Sequence, residues 1–213
     1  MAELHDLRAD EEDVPEEEEE KDGDEKPREE SGGFVAIQQN LFKARTILLF
    51  GEISMKVAQA ISAQLLALAV ENDQPIRLYI NSPGGHVDAG DTIHDMIRFV
   101  GPAVKVIGTG WVASAGAHIF LAARRENRFC LPNTRFMIHQ PLGGAGGKAV
   151  DIAIEAKEIL RMRDRLNRII ARETGQPLER VEKDTDRNYW MTAEEARDYG
   201  IVGQVIASLS ALD

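Results

Sequence analysis

A β-rich run, Ile76-Arg77-Leu78-Tyr79-Ile80, leads straight into Asn81-Ser82-Pro83-Gly84-Gly85 and then into apolar residues at helical spacing, Ile93, Met96, Ile97 and Val100. This strand, glycine turn and helix recur at once. Val104 to Ile107 predicts a strand, Gly108 to Val112 a connection, and Ala115 to Ala123 an apolar, small-residue helix. A chain that alternates in this way is restricted to α/β layers, with chemistry at the loops after the strands. An earlier unit fits the same scheme: Thr46 to Gly51 as a strand, then a helix capped by Ser54 with Val57, Ile61, Leu65 and Leu68 on one face. Downstream, Phe129 to Leu131 and Arg135 to His139 predict strands around Pro132-Asn133. Gly143, Gly144, Gly146 and Gly147 then interrupt the chain before a long helix at about 148–173, with Ile152, Ala156, Ile159, Leu166 and Ile170 on one stripe. Gly175 and Pro177 end it. Thr192 and Glu195 have capping-box spacing for a helix at about 192–198, and Ile201 to Ile206 predicts a closing strand.

With 213 residues, 43% of them hydrophobic, the chain can bury one core. Its net charge of −11 is concentrated at one end: residues 1–33 carry 16 acidic and 4 basic side chains, leaving 20 and 21 in the rest. That segment, with little apolar content, cannot offset its ordering entropy, so a disordered acidic tail is expected over 1–33, Ser31-Gly32-Gly33 acting as a hinge to a domain at 34–213. The near-neutral body offers no positive field for a phosphate backbone, which disfavours nucleic acid as a partner. No apolar stretch reaches the ~20 residues of a membrane span and no secretory pattern opens the sequence, so a soluble, cytoplasmic protein is expected. The single cysteine, Cys130, excludes an intrachain disulfide and a multi-cysteine metal site; no cofactor or metal constellation is visible.

One hydroxyl lies where chemistry is expected. Ser114, in Gly110-Trp111-Val112-Ala113-Ser114-Ala115-Gly116-Ala117, follows a strand and opens a helix, whose first amides lack intrahelical acceptors. A serine becomes a nucleophile only with a base for its proton and donors for the oxyanion it creates. Gly85 has no Cβ to block a second N–H, and His139, at a strand end before Pro141, is the base candidate. His118, four residues beyond Ser114, is a rival base on the same helical face.

Four segments in order, Tyr79 to Gly85, Gly110 to Ala117, Met137-Ile138-His139-Gln140-Pro141-Leu142-Gly143-Gly144, and Asp184 to Gly200, resemble the Clp protease proteolytic subunit family, peptidase family S14, over about residues 40–208. The resemblance implies a crotonase-like fold with a protruding handle, a Gly-rich strand plus a long helix at about 140–174. It implies a serine endopeptidase acting on peptides and unfolded proteins, with Ser114 as nucleophile, His139 as base, and Gly85 and Ala115 N–H groups as the oxyanion hole. Two stacked seven-membered rings of this subunit are implied, with Asp186 and Arg187 at a ring-to-ring contact that senses assembly. The third triad position, aspartate in the family, falls on Asn188, which supplies an acceptor without charge. That substitution favours an alternative: a weakly active or inactive homologue serving a structural or regulatory role in a ring mixed with a paralogue. The family's partner is a hexameric ATP-dependent unfoldase; Arg77 stands where its docking pocket often carries an aromatic residue, although Tyr79 is retained. A crotonase-type acyl-CoA enzyme would need a carboxylate acid/base beside those amides, and the sequence offers none.

Overall fold

The computed structural model describes residues 30–144 and 146–212, so most of the expected acidic tail lies outside the described residues. Ser31, Gly32 and Gly33, expected as a hinge, fall inside helix α1 (Glu30–Lys43). A helical glycine costs about 1 kcal/mol relative to alanine, which weakens a helix without forbidding it.

Three strand-helix units follow: β1 (Thr46–Phe50) and α2 (Met55–Glu71), β2 (Ile76–Ser82) and α3 (Val87–Phe99), β3 (Val104–Ala113) and α4 (Ala115–Phe120). The remaining elements are β4 (Arg128–Cys130), β5 (Arg135–Ile138), α5 (Ala149–Thr174), α6 (Leu178–Asp184), β6 (Tyr189–Thr192), α7 (Ala193–Tyr199) and β7 (Gln204–Val205). Parallel pairing orders the main sheet β1-β2-β3-β4-β7, while β5 branches from β3 and pairs antiparallel with β6. Burial alternates strictly along β2, sending Ile76, Leu78 and Ile80 into a core shared with Ile61, Leu65 and Leu68 of α2 and Ile93 of α3. Each such side chain contributes about 1.5–3 kcal/mol through burial. Ser54 caps α2 as expected, its side chain accepting from the Val57 amide.

The expected connection Gly108 to Val112 is strand. At Gly108 a Cβ would crowd Phe136 and Val112 at 3.1 Å, so close packing favours glycine there and it does not mark a break. At Gly110, with φ +62°, the strand bends and changes neighbours: Val106–Gly108 pair with β4, Trp111–Ala113 with β5. The expected strand Ile201 to Ile206 shrinks to Gln204–Val205, because the Ile201 and Val202 amides donate to the Ala196 carbonyl and close α7 instead. The predicted small-residue helix ends at Phe120, short of Ala123. No strand occurs among the described residues between β5 and α5, where the resemblance implied a Gly-rich handle strand; Pro141 to Gly144 and Gly146 to Gly147 find no ladder partner among the described residues. The long helix is present, but its apolar stripe is buried only at the end that packs on the body: Ile170 is buried, whereas Val150, Ile152, Ile154 and Leu160 are exposed.

Arg128, 1% exposed, anchors that packed end. It donates to the Leu121, Ala123 and Glu173 carbonyls and to the Glu173 carboxylate, joining β4 to α4 and α5. Cys130 is buried in the sheet, where burial pushes its thiol up to about 12 and leaves it a small apolar core residue.

Candidate active site

Ser114 occupies the hand-over from β3 to α4 with φ 55° and ψ −120°, one of two positive-φ non-glycine residues among those described. Such a conformation costs about 1–3 kcal/mol and persists only where its surroundings enforce it. Here the Ser114 amide donates to Met137 O (2.9 Å), its carbonyl accepts from His118 N (3.1 Å), and the glycine turn after β2 presses against it. A Cβ on Gly84 would stand 2.6 Å from Ser114 Cβ and 3.1 Å from Oγ. The geometry is that of a nucleophile elbow, in which a strained turn holds the hydroxyl out from the sheet. Sequence reasoning found the serine but not the strain; the small residues on both sides were the available signal.

The branch in the sheet brings the other two side chains to this hydroxyl. Ala113 pairs with Met137, so the next residues on β3 and β5 bring Ser114 toward His139. Ile138 pairs with Tyr189 across the antiparallel β5-β6 ladder, which sets Asn188 beside His139. The result is a continuous relay: Ser114 Oγ–H donates to His139 Nε2 (2.7 Å) and His139 Nδ1–H donates to Asn188 Oδ1 (3.0 Å). Asn188 Oδ1 therefore holds the imidazole in the tautomer whose Nε2 lone pair faces the serine. His118 makes no contact with Ser114 Oγ; its Nε2 stands 2.9 Å from Asp91 Oδ1 instead. Asp184 accepts from Tyr199 Oη (3.0 Å) and pairs with Arg180, so it cannot replace Asn188.

Gln140, not singled out in the sequence, clamps the segment that carries Asn188. Its amide donates to Thr185 O (2.6 Å) and its Nε2 to Asp186 O (2.8 Å). The buried Thr185 hydroxyl donates to Asn167 Oδ1 of α5 and to Val181 O. Asp186 also lies 3.9 Å from Arg163 of α5, and Arg187 is exposed. Helix α6 and strand β6, both unforeseen, thus set the distance between Asn188 and the imidazole.

Two main-chain N–H groups near Ser114 are not taken up by the bridge or by the helix that they adjoin. The bridge between Ile53 and Gly85 is made through Gly84 O and His86 N, so Gly85's own N–H points to the opposite edge. Ala115 is the first residue of α4, and its N–H has no acceptor within the helix. Beside Ser114 and His139 opens a cavity of about 40 Å³, bounded by Val87, Leu121, Ile138 and Ile170, with His118 in its wall. Among the described residues no group of three or more His, Cys, Asp or Glu side chains is placed to hold a metal, and no helix is long and apolar enough to cross a membrane.

A profile of the Clp protease family matches residues 28–209. The chain is 58% identical over 171 residues to ATP-dependent Clp protease proteolytic subunit 3 of Rhizobium etli, covering 80% of this chain and 88% of that one. It is 59% identical over 178 residues to proteolytic subunit 2 of Gluconobacter oxydans, covering 83% and 80%. Among solved structures, ClpP1 from Listeria monocytogenes superposes with a TM-score of 0.75 at 56% identity, covering 83% of this chain and 99% of that one. An asparagine-to-aspartate mutant of the same protein gives 0.78 at the same identity and coverage. With its α/β sheet, elbow serine and imidazole relay, the chain belongs to the Clp protease family of serine-type peptidases.

Proposed function

We propose that the chain cleaves peptides and unfolded proteins through an acyl-enzyme formed on Ser114. His139 Nε2 takes the Oγ proton as Oγ bonds to the scissile carbonyl carbon, and the negative charge on the carbonyl oxygen is received by the Gly85 and Ala115 amides. The same proton passes from His139 to the departing amine as the C–N bond breaks; water, deprotonated by His139, then attacks the ester. His139 returns that proton to Ser114 Oγ as the acyl–oxygen bond breaks and the carboxylic acid leaves. Asn188 keeps Nδ1–H in place throughout. The observation that carries this reading is the unbroken pair of hydrogen bonds, 2.7 Å and 3.0 Å, through His139. Turnover of a fluorogenic peptide by the assembled protein, abolished in Ser114→Ala, is the expected result; turnover that survives the substitution overturns it.

Assembly is part of the proposal. A barrel of two stacked heptameric rings is supported by the α5 surface that one chain leaves uncovered, where Val150 and Leu160 are 71% and 62% exposed. The Gln140 link from the residue after the base to Asp186 supports Asp186 and Arg187 as the pair that couples ring contact to the triad. A hexameric ATP-driven unfoldase is the natural supplier of unfolded chains, and the disulfide-free chain suits the cytoplasm. Asn188 favours a second reading, a weakly active or inactive subunit with a structural or regulatory role in a ring mixed with a paralogue. Assembled homo-oligomer that cleaves no peptide, but gains activity when mixed with a paralogue, would select it.

A further inference from the structure

Ser114, His139 and Asn188 stand at the ends of three strands, but β3 and β6 share no ladder, because β5 lies between them. Among the described strands β6 pairs only with β5, through the four residues Tyr189–Thr192. One edge of the strand that aims Asn188 is therefore open. A single antiparallel pair of this length is marginal in water and depends on side-chain packing to hold its place. On the core face that packing comes from buried Met191 and from Tyr189, whose ring centroid lies 5.9 Å from that of Tyr199.

The opposite face carries a second contact. Trp190 of β6 stacks on Trp111 of β3, with ring centroids 6.4 Å apart and planes 9° from parallel. The Arg135 guanidinium of β5 sits over the same Trp190 ring, 5.1 Å from its centroid. Each of the three side chains comes from one of the three strands that carry the triad. The stack spans β5 and so joins β3 to β6 directly, which no ladder does. Strand alternation also sets these groups beside the relay: Arg135, Met137 and His139 recur every second residue along β5 and its continuation, as Asn188 and Trp190 do along β6, and Met137 pairs with Trp190. Trp111 and Trp190 are 38% and 42% exposed, so the core encloses neither ring, and the stack with its cation holds them.

We propose that Trp190 is a positioning residue for acylation: its stack on Trp111, covered by Arg135, ties β6 to β3 and so holds Asn188 Oδ1 against His139 Nδ1. The inference rests on the hydrolytic reading above and adds to it a support that touches none of the reacting atoms. Without the stack, β6 shifts on its open edge. The bond lost is then Asn188 to His139, at 3.0 Å, while Ser114 and His139, whose strands β3 and β5 pair directly, keep theirs.

Trp111 and Trp190 are the two tryptophans of the sequence, so the exciton-coupled circular dichroism of the paired indoles reads the stack without a label. It is present in the wild type and absent in both Trp111→Leu and Trp190→Leu. Single-turnover cleavage of a fluorogenic peptide by the assembled protein supplies the functional test, since its rate constant does not depend on the fraction of active chains. The saturating rate constant falls about two- to fivefold in either variant, the worth of one aromatic pair. The half-saturating peptide concentration stays, because Asn188 acts on the imidazole and not on the peptide. Trp190→Phe, which keeps a ring for the stack, recovers most of the rate. In an Asn188→Ala background, Trp190→Leu slows the reaction no further, as a residue acting through Asn188 requires. Equal slowing in both backgrounds, or an unchanged rate in Trp190→Leu, overturns the positioning role alone. Loss of assembly in both leucine variants overturns it too, since the stack is then a structural contact. Assembled wild-type protein that cleaves no peptide defeats the hydrolytic reading, and this inference with it.

Discussion

Asn188→Asp separates two contributions that a triad carboxylate normally makes together. In the trypsin-type triad the reverse change costs about 10⁴ in kcat, because the amide there selects the wrong imidazole tautomer. Here the tautomer requirement is already met, since Asn188 Oδ1 accepts from Nδ1–H at 3.0 Å. Only the attraction between a carboxylate and the imidazolium formed during attack is missing. Two unit charges ~4 Å apart interact by about 1 kcal/mol in water and about 4 kcal/mol at an effective dielectric of 20. Asn188 is exposed, which places the gain near the lower end, about 1–2 kcal/mol or roughly 5- to 30-fold in rate. Single-turnover kinetics on a fluorogenic peptide read the acylation step directly, with Asn188→Ala as the companion that removes orientation as well and slows acylation about two- to tenfold. An increase near 10⁴-fold in Asn188→Asp would refute the tautomer argument, and no increase would refute the contact itself.

Three further outcomes follow from groups around the site. His94 is pushed below its ordinary value of 6.5 to about 4, so the unfolded chain takes up its proton first: stability is full above pH ~6.5 and falls by roughly 3 kcal/mol as pH drops toward ~4. Urea midpoints measured between pH 7.5 and 5 should show this slope in the wild type and a flatter one in His94→Phe. Arg128→Met leaves three carbonyls without the buried guanidinium that satisfies them, while Arg98 and Arg172 still pair with the Glu173 carboxylate, costing about 3–5 kcal/mol and lowering Tm by about 10 °C or more in a thermal melt. Gly84→Ala, at φ +102° and with its new methyl 2.6 Å from Ser114 Cβ, displaces the elbow and lowers kcat/KM about 100-fold, whereas Gly101→Ala, in open space, leaves it unchanged.

The repeated units were legible because hydrophobic period and turn chemistry agreed along them: Ser54 caps α2, and Thr192 with Glu195 forms the capping box of α7. Ser114, His139 and Gly85 were legible as candidates from their places at strand ends, the order and separation of four motifs joined them into one site, and Asn188 came from that resemblance alone. Tertiary placement hid the rest. Gly108 and Gly110 look like a break, yet one is favoured by close packing against Phe136 and the other by the positive φ of the bend that lets β3 change partners. That change of partner is what delivers His139 to Ser114, and no local period announces it. Strand β6 is only four residues long and helix α6 seven, too short for a periodic signal, although together they aim Asn188. The exposed half of α5 reads as a buried stripe in the sequence, yet no described residue covers it.

The central claim is that one strained serine, served by one imidazole, is the nucleophile. Intact mass after treatment of the assembled protein with a fluorophosphonate, followed by peptide mapping, tests it most directly. The account requires one adduct per chain, located on Ser114, absent in Ser114→Ala and formed far more slowly in His139→Ala. An adduct that persists in Ser114→Ala, or assembled wild-type protein that forms none, would contradict it.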